Sequence, residues 1–232
     1  MQIFSFHLSA STPAQTLSNF RSPPNRQQVP GLIHMECLST MTLGAPILSP
    51  SRFQLRQLAV FAAWESEKAL DTFMSKTRLG RSLSEGWQVR LSLIRRWGSL
   101  SELDHLPATE AKGSSTESVV AVTLARLKLS QTLRFIRWGR PVEKLVRNHP
   151  GTTLALAAFR PPRTFCTFSI WRSQQEMTDM VCGKGTHPGA ERHARAMEER
   201  ERKDFHYQFT TLRFRPVEER GRWAGRDDYL PG

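Results

Sequence analysis

Seven histidines, at positions 7, 34, 105, 149, 187, 193 and 206, are the groups in this 232-residue chain best suited to ligate a metal or move a proton near neutral pH. None stands in a tight cluster with cysteine or carboxylate at the spacing a zinc site needs. His149 precedes Pro150 and reads as a helix-end residue set to interact with C-terminal carbonyls. The three cysteines, Cys37, Cys166 and Cys182, include no C-x-x-C, and their odd number argues against a disulfide framework. Cys166 lies in an apolar run and reads as a buried structural thiol, which fits a reducing, cytoplasmic compartment. The run Glu198-Glu199-Arg200-Glu201-Arg202-Lys203 is a solvated helix face laced with i,i+3 and i,i+4 pairs rather than a catalytic carboxylate pair. No P-loop, dinucleotide-binding glycine motif or nucleophile elbow occurs.

Lys+Arg is 33 against 21 Asp+Glu, a net charge of +12 with pI near 10.6. The excess is mostly arginine and is scattered, and no strand carries an RNA-recognition aromatic signature, so nucleic acid is a weak expectation. Hydrophobic residues at 39% and charged residues at 23% suit a globular domain and exclude collagen, coiled coil and wholesale disorder. No apolar run reaches the roughly 18 residues of a membrane helix, and the first residues carry no basic region of a signal peptide.

The elements that must position any site come from a repeat. Val60 to Leu70 and Thr167 to Met177 each pass from an apolar run through Trp to a Ser and an amphipathic stretch. Trp64 and Trp171 lie 107 residues apart, as do Ser66 and Ser173. Each segment reads as a strand followed by a Ser-capped helix. Val29-Pro30-Gly31 and His149-Pro150-Gly151 both precede apolar stretches, and Val89 to Arg96 and Phe209 to Val217 alternate like half-buried strands. Met1 to Leu8 and Val119 to Leu129 read as opening strands. Each half is therefore βαββαβ, the ferredoxin-like order. The chain is expected to be α+β, two fused ferredoxin-like repeats forming a single-chain version of a dimeric α/β barrel. The expected division is a first repeat at 1–103, a linker at 104–118 and a second repeat at 119–232. The Pro-Gly to Trp spacing is 34 in the first half and 21 in the second, which predicts a 13-residue insertion in the Ser39 to Pro50 loop. The polar tail after Trp223 is expected to fray.

The second half also carries a recognisable pattern: Phe165 to Trp171, a Ser-capped helix with Met177, His193 to Met197, Phe205, Leu212-Arg-Phe-Arg-Pro216, and Gly221-Arg-Trp223-Ala-Gly225-Arg226. This pattern resembles the spheroidene monooxygenase family of carotenoid-modifying enzymes, over roughly Val119 to Asp228, and takes in Arg134-Phe135. The first half matches less well. Leu58 to Trp64 and Arg96-Trp97-Gly98 fit, Gly44 alone stands for a glycine-rich turn, and no second Trp-x-Gly closes the repeat. The resemblance implies a haem-dependent enzyme that uses dioxygen and external electrons, from a donor such as a ferredoxin, to oxidise an apolar polyene.

On that resemblance His193 is the expected haem ligand, with His187 and His206 as alternatives. Haem also needs an apolar slot and cations for its propionates. Arg126, Arg134, Arg137 and Arg213 lie on elements that could face it, Arg134 and Arg126 foremost, because a guanidinium fork matches a carboxylate. Trp64, Trp171 and Phe205 are expected to line a substrate pocket, or else, for the two repeat-equivalent tryptophans, to pack the core. Two other classes stay open: a non-catalytic small-molecule or haem-binding barrel, which the degraded first half favours, and a basic nucleic-acid binder.

Overall fold

The computed structural model describes residues 2–43, 45, 52–109, 111, 113–184 and 191–231. His187 and Gly44 lie outside the described residues. The first repeat runs β1 (Ile3–Ala10), α1 (Pro13–Arg21), β2 (Leu32–Met41), β3 (Phe53–Trp64), α2 (Glu67–Lys76), α3 (Arg78–Ser84) and β4 (Trp87–Ser99). The second runs β5 (Val119–Leu127), α4 (Thr132–Asn148), β6 (Thr152–Arg160), β7 (Thr164–Trp171), α5 (Gln174–Val181), α6 (Arg192–Arg202) and β8 (His206–Arg220). The two serines expected as caps do cap: Ser66 Oγ accepts from Ala69 N and Ser173 Oγ from Glu176 N. Thr12 and Gln15 close a full capping box on α1.

The strands close into one barrel in the order β1-β3-β2-β6-β7-β5-β8-β4, all neighbours antiparallel. Within each repeat the order is that of a ferredoxin-like sheet, and the two sheets join along β2·β6 and β4·β8. Closure removes every free strand edge. The alternation of each strand divides its residues between two faces. Phe4, Phe6, Leu8, Phe61, Val120, Val122, Phe168, Leu212 and Phe214 fill the interior. Phe6 stacks on Phe168 at 3.9 Å between ring centroids, and Phe4 meets Phe214 at 4.9 Å. The interior is thus a packed core rather than a ligand chamber.

Two expectations are corrected. Ser39 to Met41 belong to β2, where they pair with β6, so the predicted insertion loop starts later. The tail does not fray: Tyr229 is buried in the barrel core, edge-on to Trp87 at 5.6 Å, and donates its hydroxyl to the Trp223 carbonyl. Glu219 fixes the same turn by accepting from the Tyr229 and Leu230 amides and from Trp87 Nε1. A polar composition concealed one aromatic plug. The segment 104–118 also returns to the body, with Leu106 buried and Thr109 bridged to Arg95.

Candidate functional site

The outer faces of the two half-barrels differ. In the first repeat α2 lays Leu70, Phe73 and Met74 on Met35, Cys37, Val60, Ala62 and Trp64, and every residue from Leu58 to Trp64 is buried. In the second repeat α4 buries none of its residues. The outward positions of the strands beside it are small or polar and only half-buried: Ala121 and Thr123 on β5, Thr167 and Ser169 on β7, Ala155 on β6, Thr211 on β8. Thr123 and Thr211 hydrogen-bond across the β5–β8 ladder at 3.2 Å. The result is a half-buried floor of small side chains, with Ala121 packed in the cluster that takes in Leu145 and Val146 of α4 and Val181 of α5, and it is the side of the barrel that the sequence pattern marks.

His193 is the second residue of α6. Its Nδ1 lies 3.1 Å from the Val181 carbonyl at the end of α5. A carbonyl only accepts, so Nδ1 carries the proton and Nε2 holds the lone pair of the neutral ring. Burial lowers the His193 pKa, against a smaller upward effect of that hydrogen bond, so the neutral form prevails at pH 7. Val181 packs beside Ile94, Val119, Trp171, Met177 and Met180, which ties the imidazole to a rigid cluster. On the outer face, Arg95 on β4, which follows Ile94 of that cluster, and Arg213 on β8 are direct cross-strand partners. Their guanidiniums lie 4.7 and 4.5 Å from the Trp97 ring centroid. Burial, then the charge of Arg95, lowers the Arg213 pKa, while Cys182 raises it.

The other expected residues fall elsewhere. His206 is buried among Phe135, Phe205 and Phe209, with Nδ1 3.1 Å from Asp204 Oδ1. Burial pushes its pKa down to about 4 despite Asp204, and its buried Nε2 has no hydrogen-bond partner. Arg134 is spent on α6: it donates to Glu199 Oε1 at 2.7 Å, to the Glu199 carbonyl and to the Lys203 carbonyl, and covers the Phe205 ring at 4.3 Å. Arg137 is exposed on α4. Trp64 and Trp171 are fully buried, one under α2 against Phe73 at 5.0 Å, the other in the cluster beneath α5. Each donates its indole N–H to a serine, Ser5 and Ser169.

Arg126 belongs to a group that sequence reasoning missed. Glu36 is buried inside one mouth of the barrel, where Arg126, Arg160 at 2.5 Å and His34 at 3.0 Å surround it, and Arg126 also reaches Glu102 at 3.3 Å. Burial alone would raise the Glu36 pKa, but the imidazole of His34 and the charges of both arginines hold it down to about 2. His34, Glu36 and Glu102 bring their ligand atoms within 4.8 Å of one another. Both Glu36 oxygens already face guanidiniums, so the group is an internal charge lock and a poor seat for a cation. The signal in the sequence was His34-x-Glu36 on the inward face of an otherwise apolar strand.

A cavity of about 380 Å³ lies between β4 and α2/α3 and is lined by Asp71, Gln88, Arg90 and Arg220 among others. Arg90 there is paired with Asp71 at 2.5 Å and Glu218 at 3.3 Å. His7, across the ladder from Gln88, is buried with Nε2 2.8 Å from Ser5 Oγ. Burial, and secondarily Arg90, pushes its pKa down to about 3.

Together the closed antiparallel sheet, the doubled βαββαβ order and the external helices define a single-chain α+β barrel of the ferredoxin-like class. Among solved structures, an aldoxime dehydratase in complex with butyraldoxime shares this fold, with a TM-score of 0.54 at 9% identity over 94% of this chain and 80% of that one. A second aldoxime dehydratase structure gives 0.48 at 11% identity over 94% and 84%. A ferredoxin-fold protein of Listeria monocytogenes related to antibiotic biosynthesis monooxygenases gives 0.32 at 10% identity over 94% and 97%. No protein-family model matches the sequence, and no curated protein matches it. At these identities the likeness is one of fold. Among the described residues no helix is long and apolar enough to cross a membrane.

Proposed function

We propose that this protein is a haem-dependent oxidoreductase of the monooxygenase kind, related to the spheroidene monooxygenase pattern, that oxidises a hydrophobic substrate with dioxygen and electrons from an external donor. The observation that carries the reading is His193. Its Nδ1 proton is committed to the Val181 carbonyl, its ring is neutral at pH 7, and Val181 packs on the same cluster as Ala121 of the small-residue floor. An anchored tautomer with the second nitrogen left as a donor is the arrangement that ligating histidines share. Haem bound there would supply the activation of dioxygen. The chain's own part would be to present Nε2 in one orientation and to offer a floor of small side chains, Ala121 and Ala155 among them, that leaves room for the group and its substrate.

The donor chemistry thus fits a haem at His193. Arg126 and Arg134 are left out of the proposed site, because Glu36, Glu102 and Glu199 already engage them. His206 is left out as well, since its Nε2 is sealed among aromatic rings. The test is reconstitution of the full chain with haemin, expected to give a Soret band near one haem per chain in the wild type and a shifted or much weaker band in His193→Ala. Robust haem uptake without turnover of any apolar substrate in the presence of a reductant would instead favour a haem-binding barrel.

A further inference from the structure

Arg95 and Arg213 face one another directly across the β4–β8 ladder. Like charges in that relation destabilise a sheet unless something offsets them. Every arginine in the two charge groups described above has a carboxylate: Arg90 has Asp71 and Glu218, Arg126 has Glu36 and Glu102, Arg160 has Glu36. Arg95 and Arg213 have none among the described residues. What they share is the ring of Trp97, with both guanidiniums within 5 Å of its centroid at 4.7 and 4.5 Å. A cation–π contact offsets part of the repulsion but neutralises no charge. Arg213 is also half-buried, where an uncompensated charge is more costly than on the surface.

The pair sits at one side of the small-residue floor. Arg213 is flanked on β5 by Ala121, and Trp97 pairs with Thr211, which bonds Thr123. A ligand whose apolar body lay along Ala121, Ala155 and the Thr123–Thr211 pair would bring one end to both guanidiniums. We infer that Arg95 and Arg213 form an anion subsite at the edge of this floor that takes the carboxylate of an otherwise apolar ligand. A guanidinium fork suits the two oxygens of a carboxylate, and two forks with no protein acid leave room for it. The carboxylate can come from a tetrapyrrole propionate or from a free amphipathic acid. In the first case the inference rests on the haem reading; in the second it stands without it.

The experiment is a calorimetric titration of the full chain with two matched pairs: laurate against dodecanol, and haemin against haemin dimethyl ester. Because the whole protein is basic, the variants are R95Q/R213Q and, as a control for general charge, R21Q/R26Q, which removes two exposed arginines of the first repeat. For at least one pair, the acid is expected to bind the wild type roughly tenfold or more tightly than its neutral partner. The preference should vanish in R95Q/R213Q and survive in R21Q/R26Q. A preference for laurate alone would identify a free acid as the source and would count against the haem reading while leaving the subsite in place. A preference for haemin alone would identify a propionate. No preference in either pair, or a preference that persists in R95Q/R213Q, overturns the inference. Thermal melts of the ligand-free protein add an independent reading. Relieving the repulsion should leave the R95Q/R213Q midpoint unchanged or higher, whereas a pair with a purely structural role would lower it.

Discussion

His7 joins a physical cause at one residue to a measurable property of the whole chain. Folded, it stays neutral until about pH 3; unfolded, it takes a proton near its ordinary 6.5. The unfolded state therefore binds more protons across that window, and stability falls as pH drops through it, by up to ~1.4 kcal/mol per unit for one proton. His206, held down to about 4, adds to the same loss. Glu36, held down to about 2, continues it below its ordinary 4.5, because its carboxyl protonates first in the unfolded chain. Urea midpoints at pH 7.5, 6 and 5 should fall steadily in the wild type and about half as steeply in His7→Leu; an unchanged slope would show that burial of His7 has no such effect. Glu36→Gln should cost roughly 2–3 kcal/mol in the same assay, because it leaves Arg160 without a countercharge and Arg126 with Glu102 alone in a mostly buried setting. The doubly neutral Glu36→Gln/Arg160→Gln should recover part of that loss. The sequence singled out His206 and Arg126 for a cofactor site, and held His7 and Glu36 in view only as types. His34-x-Glu36 inside an apolar strand was a visible anomaly, but its partners Arg126 and Arg160 come from strands about a hundred residues away, and only the barrel register brings them together.

At the level of elements, α6 depends on a single side chain of α4. Arg134 donates to two carbonyls at the α6 C-terminus and to Glu199, and covers Phe205. Arg134→Lys keeps the charge but loses the fork, so it should not rescue the contact. Amide exchange in α6 and the second half of α4 should accelerate in Arg134→Lys and Arg134→Ala alike, with β1 to β3 unchanged; full protection in the lysine variant would contradict the assignment. Gly98 sets a second constraint. Its φ is +77° and an added Cβ would meet the Phe209 carbonyl oxygen at 2.1 Å, so Gly98→Ala should destabilise by roughly 1–3 kcal/mol through the β4–β8 seam. Such elements were legible where pattern was strong. The two Trp-ended strands and their Ser caps follow from apolar runs and one cap residue each. The seam was legible in part: Val89 to Arg96 and Phe209 to Val217 alternate within β4 and β8, but the full 13 and 15 residues and their pairing were not, because bulges shift the register.

For the whole molecule, the repeat gave the fold and concealed the function. Doubling of βαββαβ implies two sheets, and their closure into one barrel follows because each would otherwise leave edges unpaired. It does not say that the two outer faces would differ. That difference lies in the cover: Leu70, Phe73 and Met74 of α2 seal Cys37, Val60, Ala62 and Trp64, whereas α4 buries none of its residues and Ala121, Thr123, Thr167 and Ser169 stay half-buried. It places the less tightly covered face on the half that carries His193. The most direct measurement is a haemin titration of the wild type and His193→Ala followed by absorption spectroscopy. A saturable Soret band near one haem per chain, lost or shifted in the variant while circular dichroism is unchanged, is the predicted result. An identical band in both proteins, or no band in either, would contradict the assignment of His193 as the ligand of a haem enzyme.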